Sequence, residues 1–388
     1  MSSAASLRID VEADDRVAGY ETNPEFQLLV ACTSPSRTQY VVGPVNWNSV
    51  LQLAQHHGVI SQLSDTLEYS VAQIPSTVIE KVRNENRNNT RQALWLTREM
   101  FRILGQLTAR NIDAMPYKGP VLAEMLYGNV AARQFNDIDI LIRARDVPVA
   151  IAALHELGYE PGVELTPRQE RAYLRSGYEY TFDGERGRNL VELQWNVLPR
   201  FYSVDLKTED LFERAQTQTV SGQKIRSLSL EDLLIVLCLH AAKHGWVQLS
   251  WLSDVATLAG SETIDWDTVG KRSAALGVGR ILDLTFALCH RLWRTPLPCV
   301  LPLECEPILR HQLELLAQGE EYNTDSLPYF RRMLQARERR SDRARFLWRL
   351  ATTPSLGEWS AIRLPSPLFP LYGAVRAVRL AKRMVTTR

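Results

Sequence analysis

"ARQFNDIDILIRARD", residues 132–146, decides how the fold is built. Apart from Asp139, residues 138–142 are all Ile or Leu, which is typical of a buried β-strand. Asp137 and Asp139 lie two residues apart, so they share one face of that strand. Two carboxylates on one face of a core strand repel each other and lose hydration. The pattern therefore predicts that a cation lies between them.

The composition of the chain limits its class. Its 388 residues are 45% hydrophobic, which is enough for a large core and for two or three domains. The formal net charge of +1 gives no global attraction to nucleic acid, which is not expected as a partner. The sequence has no uninterrupted run of ~18 apolar residues, so no transmembrane segment is predicted. The start of the sequence lacks the apolar core of a signal peptide. Five scattered cysteines without a CxxC pair are typical of a reduced, cytoplasmic protein.

Composition and periodicity divide the chain into five predicted segments. Apolar residues at helical spacing begin near residue 46, and a unit that mixes strands and helices follows. A larger helical region comes next, and the end of the chain is rich in arginine. The predicted segments are a mobile N-terminal tail at 1–40, a helical segment at 41–110, a small α/β unit at 111–205, a helical domain at 206–330 and a basic helical segment at 331–388.

The local elements of the α/β unit follow from its turn residues and its alternation. We expect a strand at 112–117 and a turn at Lys118 and Gly119. A helix at 120–127 should follow, with proline in its first turn. Residues 178–197, "YEYTFDGERGRNLVELQWNV", alternate on both sides of a glycine-containing turn and predict a β-hairpin.

A third carboxylate completes a candidate metal site. Mg²⁺ binds oxygen ligands in octahedral geometry and usually keeps water and substrate phosphates in its shell. Glu192 of the predicted hairpin joins Asp137 and Asp139 if its strand lies beside theirs. Each residue alone is more often a strand-end, turn or surface residue, but the set suits two-metal phosphoryl chemistry. Asp137, Asp139 and Glu192 are therefore the candidate catalytic residues and the candidate ligands of Mg²⁺ or Mn²⁺.

A second group of residues suits phosphate binding. Lys118 and Gly119 form a turn before a predicted helix N-terminus, where free backbone N–H groups favour an anion. Gly119 lets the backbone come close to a phosphate, and Lys118 adds a positive charge. Arg133 lies four residues before Asp137 and could reach the same phosphates. A Lys-Gly turn before a helix is common, so only its combination with the carboxylates indicates a nucleotide site.

The same residues resemble the nucleotidyltransferase superfamily that has the palm of DNA polymerase β. They are most similar to an uncharacterised bacterial branch with the signature KG-x(n)-R-x(3)-D-[IV]-D-[IL]-L-[IV]. In this chain the signature is met by Lys118-Gly119, Arg133 and "DIDILI" at 137–142. The branch next has an acidic-Leu-His-Trp element, and this chain has "ELQW", with Gln194 in place of the His.

The resemblance implies an α+β fold, in which a small mixed-sheet palm is flanked by N-terminal helices and a larger C-terminal helical domain. It also implies a Mg²⁺-dependent nucleotidyltransferase that moves an NMP from an NTP to an unidentified small-molecule, peptide or protein acceptor. Glu192 would complete the metal site or act as general base on the acceptor. The cation between the two aspartates would then be Mg²⁺ and not a side chain. A kinase-like phosphotransferase on the same palm and a non-catalytic nucleotide-binding module stay open as alternatives.

Residues 229–245 predict a helix that carries two histidines. His240 and His244 are spaced i, i+4 and share one face of this helix. They could bind zinc together with Asp254, or contact substrate or phosphate at the edge of the cleft, or simply pack as hydrogen-bonded side chains. The second possibility makes them candidate nucleotide-binding residues. We expect Lys243, which is adjacent in sequence, to point elsewhere.

The C-terminal part of the chain is strongly basic. Residues 330–388 contain fourteen Lys or Arg and three Asp or Glu, and their pattern predicts amphipathic helices. Such helices can contact an anionic surface weakly, or they can cover an acidic face of the same protein. The second reading is favoured because the rest of the chain is acidic.

Overall fold

The computed structural model describes residues 22–35, 44–68, 74–184, 190–296, 298, 302–320, 323–324, 326–362 and 364–386. No helix within these residues is both long enough and apolar enough to cross a membrane. The α-helices of the described chain are α1 Pro24–Cys32, α2 Trp47–His56, α3 Ile60–Glu68, α4 Ser76–Thr108, α5 Pro120–Tyr127, α6 Val147–Glu156, α7 Pro167–Ser176, α8 Thr208–Glu213, α9 Leu230–Lys243, α10 Leu249–Ala259, α11 Trp266–Leu276, α12 Gly279–Trp293, α13 Glu306–Gln318, α14 Leu327–Gln335, α15 Arg340–Thr352, α16 Leu356–Ala361 and α17 Tyr372–Thr386.

The strands of the described residues are β1 Ala114–Pro116, β2 Asp137–Ile142, β3 Glu160–Pro161, β4 Glu179–Asp183, β5 Leu190–Gln194, β6 Gln216–Val220 and β7 Gln223–Ser227. They form a five-stranded mixed sheet and a separate two-stranded hairpin. The order in the larger sheet is β1-β2-β5-β4-β3, and only β2 and β5 run parallel among its neighbouring pairs. β4 and β5 pair antiparallel, as the predicted hairpin requires. The α+β class is confirmed.

The two faces of the larger sheet have different neighbours. Ile138, Ile140 and Ile142 of β2 lie in one hydrophobic cluster with residues of α4 and α6. The alternate residue Leu141 lies in a second cluster, which contains most of the buried residues of α9, α10 and α12. Because side chains alternate along a strand, Asp137 and Asp139 belong to the face that looks towards this helical domain.

Helix α9 is the central element of the helical domain. Ser229 caps its N-terminus, where the Ser229 side chain accepts a hydrogen bond from the backbone N–H of Asp232. Every residue from Leu233 to Leu239 is buried, so the helix is covered on all sides by its neighbours. It ends at Lys243, close to the predicted stop at Gly245, which has a positive φ of 71°. The last turn of α9 thereby reaches the polar face of the sheet.

Part of the predicted N-terminal tail is ordered. Residues 24–32 of the 1–40 segment form helix α1, whose Phe26, Leu28 and Leu29 are completely buried. The expectation of a mobile tail is wrong for these residues, because their apolar side chains complete the core beside α2, α3 and α12. The remainder of the predicted tail, residues 1–21 and 36–40, lies outside the described residues.

A β-hairpin interrupts the region 206–330, which the sequence analysis treats as helical. Strands β6 and β7 pair through a tight turn at Ser221 and Gly222, both of which have a positive φ. The Ser227 hydroxyl donates to the backbone carbonyl of Pro116 at 2.8 Å, which fixes the hairpin to β1. The Ser-Gly pair between alternating residues was a usable hairpin signal.

The basic C-terminal segment is helical and packs on the rest of the protein. Phe346 of α15 belongs to the core of the helical domain, and Tyr372 of α17 belongs to the core of the sheet. Two of its arginines, Arg376 and Arg379, pair with Glu358 of the same segment at 3.2 and 3.0 Å. These contacts agree with internal packing. Contact with an anionic surface stays a prediction.

Candidate active site

One cavity is lined by all eight residues that are predicted to bind metal or nucleotide. Its volume is about 420 Å³, and it lies between the polar face of the sheet and the last turn of α9. Gln55 and His56 at the end of α2, together with Gly58 of the loop that follows, line another side. The selected residues that line the cavity are Lys118, Gly119, Arg133, Asp137, Asp139, Glu192, His240 and His244.

The three carboxylates meet because of the register between β2 and β5. Asp139 and Glu192 are directly opposite one another in this parallel pair, and Asp137 is opposite Leu190. Neighbouring strands are about 4.8 Å apart, so Asp139 and Glu192 project side by side from one face. The Asp139 side chain is 1% exposed. The strand of Glu192 therefore lies beside the strand of the two aspartates, as the predicted metal site requires.

A lysine already lies against the carboxylates. The Lys118 Nζ atom is 2.8 Å from Asp139 Oδ1, and both side chains are buried. Burial lowers the pKa of Lys118, but the combined negative charges around it, that of Asp139 first, outweigh burial and raise the pKa above its usual value. The expectation that a metal ion and not a side chain supplies the positive charge beside the aspartates is therefore wrong, because Lys118 supplies positive charge to Asp139. The turn before α5 directs the lysine inward, where its ammonium group compensates Asp139.

Gln194, the last residue of β5, forms hydrogen bonds to two of the carboxylates. Its Nε2 atom donates to Asp139 Oδ1 at 3.1 Å and to Glu192 Oε2 at 2.9 Å. Its Oε1 atom accepts a hydrogen bond from the buried Tyr117 hydroxyl. The amide therefore holds two acidic side chains in place without adding charge. Gln194 is therefore a structural part of this site.

Crowding raises the proton affinity of two of the acids. Burial, followed by repulsion from Asp139, raises the pKa of Glu192 to about 8 and the pKa of Asp137 to about 6. Within the described chain, the buried Asp139 Oδ2 atom has no hydrogen-bond partner. A cation placed at these oxygens would relieve both features. The donor set of carboxylate oxygens fits Mg²⁺ or Mn²⁺ in chemical type.

The described residues do not form a closed metal cage. No group of three His, Cys, Asp or Glu side chains among them is arranged to hold an ion. Mg²⁺ normally retains water and substrate phosphates in its shell, so an open arrangement of carboxylates agrees with that ion. Closed four-ligand sites are instead typical of structural zinc. The zinc reading of His240, His244 and Asp254 is therefore wrong for this structure.

Asp254 has a different partner. Its Oδ2 atom accepts a hydrogen bond from Arg133 Nε at 2.8 Å, and its Oδ1 atom accepts one from the Tyr127 hydroxyl at 2.9 Å. Asp254 lies on α10, so this buried pair joins the α/β unit to the helical domain. Arg133 lines the cavity, but Asp254 fixes part of its guanidinium group. Phosphate binding by Arg133 stays a prediction.

Glycine is required at position 119 for two reasons. Its φ is +53°, a conformation that other residues rarely adopt. A Cβ atom there would also lie 3.2 Å from the backbone oxygen of Asp137. Gly119 precedes Pro120, the first residue of α5, as the sequence predicts. The turn therefore brings backbone, Lys118 and the helix start together beside the carboxylates.

The two histidines form a wall opposite the acids. The rings of His240 and His244 lie 4.8 Å apart, and each contacts the ring of Trp251 at just over 5 Å. Burial, assisted by nearby lysines, lowers the pKa of His240 well below its usual range and the pKa of His244 to about 3. Both are therefore neutral at physiological pH. They can contact a ligand by hydrogen bonding or stacking, but they add no positive charge.

Two charged residues line the cavity without having been predicted as site residues. Lys243 lines the cavity, where its Nζ atom donates to the Tyr178 hydroxyl at 3.1 Å, so the expectation that it points elsewhere is wrong. Glu179 on β4 is directly opposite Gln194 on β5 and adds a fourth carboxylate to the cavity. The one feature of the sequence that could have predicted Glu179 as a site residue is its place on the other strand of the predicted hairpin.

The comparison with known protein families agrees with this arrangement. A carboxylate-lined cavity on one face of a small mixed sheet, with a lysine beside it, suits a phosphoryl- or nucleotidyl-transferring enzyme. The model of a family described as uncharacterised nucleotidyltransferases matches residues 43–294, well over half of the chain. The chain belongs to this family, and its enzyme class is therefore nucleotidyl transfer. No curated protein sequence matches the chain.

Several solved structures are similar to part of the chain at low identity. The solution structure of the antibiotic-resistance factor ANT(2″)-Ia is 16% identical, with a TM-score of 0.34, and the match covers 46% of this chain and 91% of that one. The lincomycin-bound lincosamide antibiotic adenylyltransferase LnuA is 18% identical, with a TM-score of 0.30 and coverage of 42% and 96%. An antigenic nucleotidyltransferase-like protein from Paracoccidioides brasiliensis is 17% identical, with a TM-score of 0.27 and coverage of 50% and 90%. Similarity at this level carries no functional argument.

Proposed function

We propose that the protein is a Mg²⁺- or Mn²⁺-dependent nucleotidyltransferase that moves an NMP from an NTP to a hydroxyl group of a small-molecule, peptide or protein acceptor. The observation that carries this proposal is the register that sets Asp139 opposite Glu192, with Asp137 on the same face. The family provides the reaction class. The buried carboxylates provide the reason for a divalent cation.

The charges of the cavity support a cationic cofactor. Asp137, Asp139, Glu179 and Glu192 line it, whereas its basic residues are Lys118, Lys243 and an arginine that Asp254 already neutralises. Asp137, Asp139 and Glu192 would hold the ion. When bound, it would neutralise triphosphate charge and lower the pKa of the attacking hydroxyl. The excess of carboxylates would otherwise repel the triphosphate of the donor.

The chain's own residues have distinct roles in the proposed reaction. Glu192 accepts the proton of the acceptor hydroxyl, and the acceptor oxygen forms a bond to the α-phosphorus of the NTP. The bond between that phosphorus and the oxygen bridging to the β-phosphate breaks, and pyrophosphate leaves. Lys118 and the turn at Gly119 hold the phosphates. Neutral His240 and His244 bound the nucleotide on the opposite side of the cavity.

A non-catalytic nucleotide-binding module is the second candidate. The ion pair between Lys118 and Asp139 favours it, because the ammonium group already supplies positive charge that a metal ion would otherwise bring to Asp139. In an active enzyme, Lys118 must shift its charge towards phosphate when a metal ion binds. A catalytically silent protein would keep the pair closed.

Thermal unfolding with ATP, GTP, CTP and UTP, each with and without Mg²⁺, tests the proposal without knowledge of the acceptor. A ligand that binds the native state must raise its stability. We expect a Mg²⁺-dependent shift with at least one NTP, and its loss in an Asp137→Asn/Asp139→Asn variant. Asp205→Asn is the matched control, because Asp205 is exposed and outside the cavity. A folded protein with no shift for any NTP would contradict the proposal.

Labelled nucleotide then separates the possible reactions. Transfer of label from the α-phosphate identifies nucleotidyl transfer, whereas transfer from the γ-phosphate identifies a kinase-like phosphotransferase. Binding without transfer of either label across an acceptor screen identifies a nucleotide-binding module.

A further inference from the structure

A second cavity adjoins the candidate active site. Its volume is about 310 Å³, and it shares Tyr178 and Glu179 with the first cavity. Thr181, which also lines it, is directly opposite Glu192 in the pairing of β4 with β5. The second cavity therefore opens beside the residue that we assign to proton transfer. A group bound there lies next to the proposed reaction centre.

The walls of the second cavity are mainly apolar and aromatic. They are formed by the rings of Tyr173, Tyr178 and Phe201, together with Pro199, Pro354 and Leu356. Its charged lining residues in the described chain are Glu179 and Arg200, one of each sign. Ligand sites of this size with apolar walls and few polar groups usually bind small molecules. The absence of excess charge among these residues favours a neutral ligand.

The C-terminal segment builds one side of this cavity. Residues 353–357, which include the start of helix α16, contribute to its lining. The helix is fixed by the pairs of Glu358 with Arg376 and Arg379. The Arg376 guanidinium also lies over the ring of Phe201, 5.4 Å from its centroid. The contact of Arg376 with Phe201 therefore holds the segment against the α/β unit. This gives part of the basic tail a structural role beside the reaction centre.

We propose that the second cavity binds the acceptor, and that the acceptor is a neutral small molecule with an aromatic or alicyclic ring and a free hydroxyl group. The inference rests on the proposed nucleotidyl transfer. The ring packs among Tyr173, Phe201 and Leu356, and the hydroxyl points past Glu179 towards Glu192. The hydroxyl oxygen bonds to the α-phosphorus, its proton passes to Glu192, and pyrophosphate leaves from the donor. A polycationic acceptor would lack the carboxylates that it needs within this cavity.

Binding of 2-naphthol and 1-adamantanol, one aromatic and one alicyclic probe, tests this inference. Fluorescence titration follows 2-naphthol, and thermal stabilisation follows both. We expect both probes to bind, and glucose and spermidine not to bind. Ser176→Phe, which fills the cavity from its rim, should weaken probe binding by about tenfold or more. Leu356→Ala should weaken probe binding severalfold. This smaller change provides a second test if Ser176→Phe does not fold.

The controls separate this inference from the proposed function. Leu303→Ala changes a leucine that is 92% exposed and lines neither cavity, so it should leave probe binding unchanged. Ser176→Phe should retain stabilisation by Mg²⁺ and NTP. If NTP stabilises the protein but neither probe binds, or both pocket variants bind the probes normally, the acceptor inference is wrong and the proposed function stands. If the probes bind and no NTP does, nucleotidyl transfer is wrong, and the inference fails with it.

Discussion

Lys118 Nζ lies 2.8 Å from Asp139 Oδ1, and this pair sets the charge balance of the candidate active site. The lysine side chain is 10% exposed and the aspartate side chain 1%. Water therefore screens the pair poorly, and each charge depends on the other. The pair offsets the charge of one of the four carboxylates that line the cavity. It has a direct consequence for stability.

Replacement of Lys118 by methionine should destabilise the protein strongly. The substitution leaves Asp139 buried without its cation, which typically costs about 3–5 kcal/mol. Urea unfolding at neutral pH measures the loss, and Mg²⁺ should restore part of it if the ion binds the same carboxylates. Lys207→Met, at an exposed lysine, is the control. A loss as small as that of the control would show that the buried pair contributes little.

Glu192→Gln should separate stability from catalysis. The glutamine keeps the shape of the side chain and removes an acid that repels Asp139, so stability without metal should be unchanged or higher. The rate of nucleotidyl transfer should fall on the order of 10²–10⁴-fold, which is typical for the loss of a general base.

An acceptor found by screening permits this rate measurement, and exposed Glu164 provides the control Glu164→Gln. Full activity of Glu192→Gln would remove Glu192 from the reaction. A large loss of stability would instead indicate that its main role is structural.

Gln194 should tolerate histidine better than leucine. Gln194→Leu removes the amide that donates to Asp139 and Glu192, and it leaves the buried Tyr117 hydroxyl without its acceptor. A buried polar group left unpaired costs about 1–3 kcal/mol. Gln194→His retains a ring N–H donor at this position. Urea unfolding and Mg²⁺ titration of the two variants provide the comparison, and equal behaviour of both would show that the amide does not position the acids.

His57 should make the protein sensitive to acid. It is completely buried, its Nε2 atom lies 2.9 Å from the carbonyl oxygen of Leu316, and its Nδ1 atom accepts the backbone N–H of Leu249 at 3.4 Å. Burial, followed by repulsion from His56, lowers the pKa of His57 from 6.5 to about 3. The ring is therefore neutral in the folded protein over a range in which the unfolded chain binds a proton.

The sign of the pH effect follows from this difference. Below pH 6.5 the unfolded state takes up a proton that the folded state refuses, so stability falls as the pH falls towards 3. The slope from this group is about 1.4 kcal/mol per pH unit. Urea unfolding between pH 4 and 7 should show this extra slope in the wild type relative to His57→Gln. Parallel curves for the two proteins would contradict it, and His155→Gln, at an exposed histidine, should retain the wild-type slope.

Much of the local structure was predictable because it depends on neighbours in sequence. The strand at 137–142 and the helix at 120–127 have the predicted bounds, since branched residues, proline and glycine act over a few positions. The hairpin of β6 and β7 was missed because its strands are mostly polar, although its Ser-Gly turn carried a signal. Helix α1 was missed because its burial depends on residues far away in the chain.

The sequence by itself determined which chemical groups are available: paired aspartates on one strand face, a Lys-Gly turn before a helix, and a glutamate on an alternating strand. Only the tertiary structure decided how they meet. Asp139 with Glu192, Lys118 with Asp139, and Arg133 with Asp254 are pairs between different elements, and the last spans 121 residues. Strand register and helix packing set such contacts through many weak apolar interactions spread over the whole core. A local pattern can therefore name the residues of this site, but only the packed fold determines their partners and charge balance.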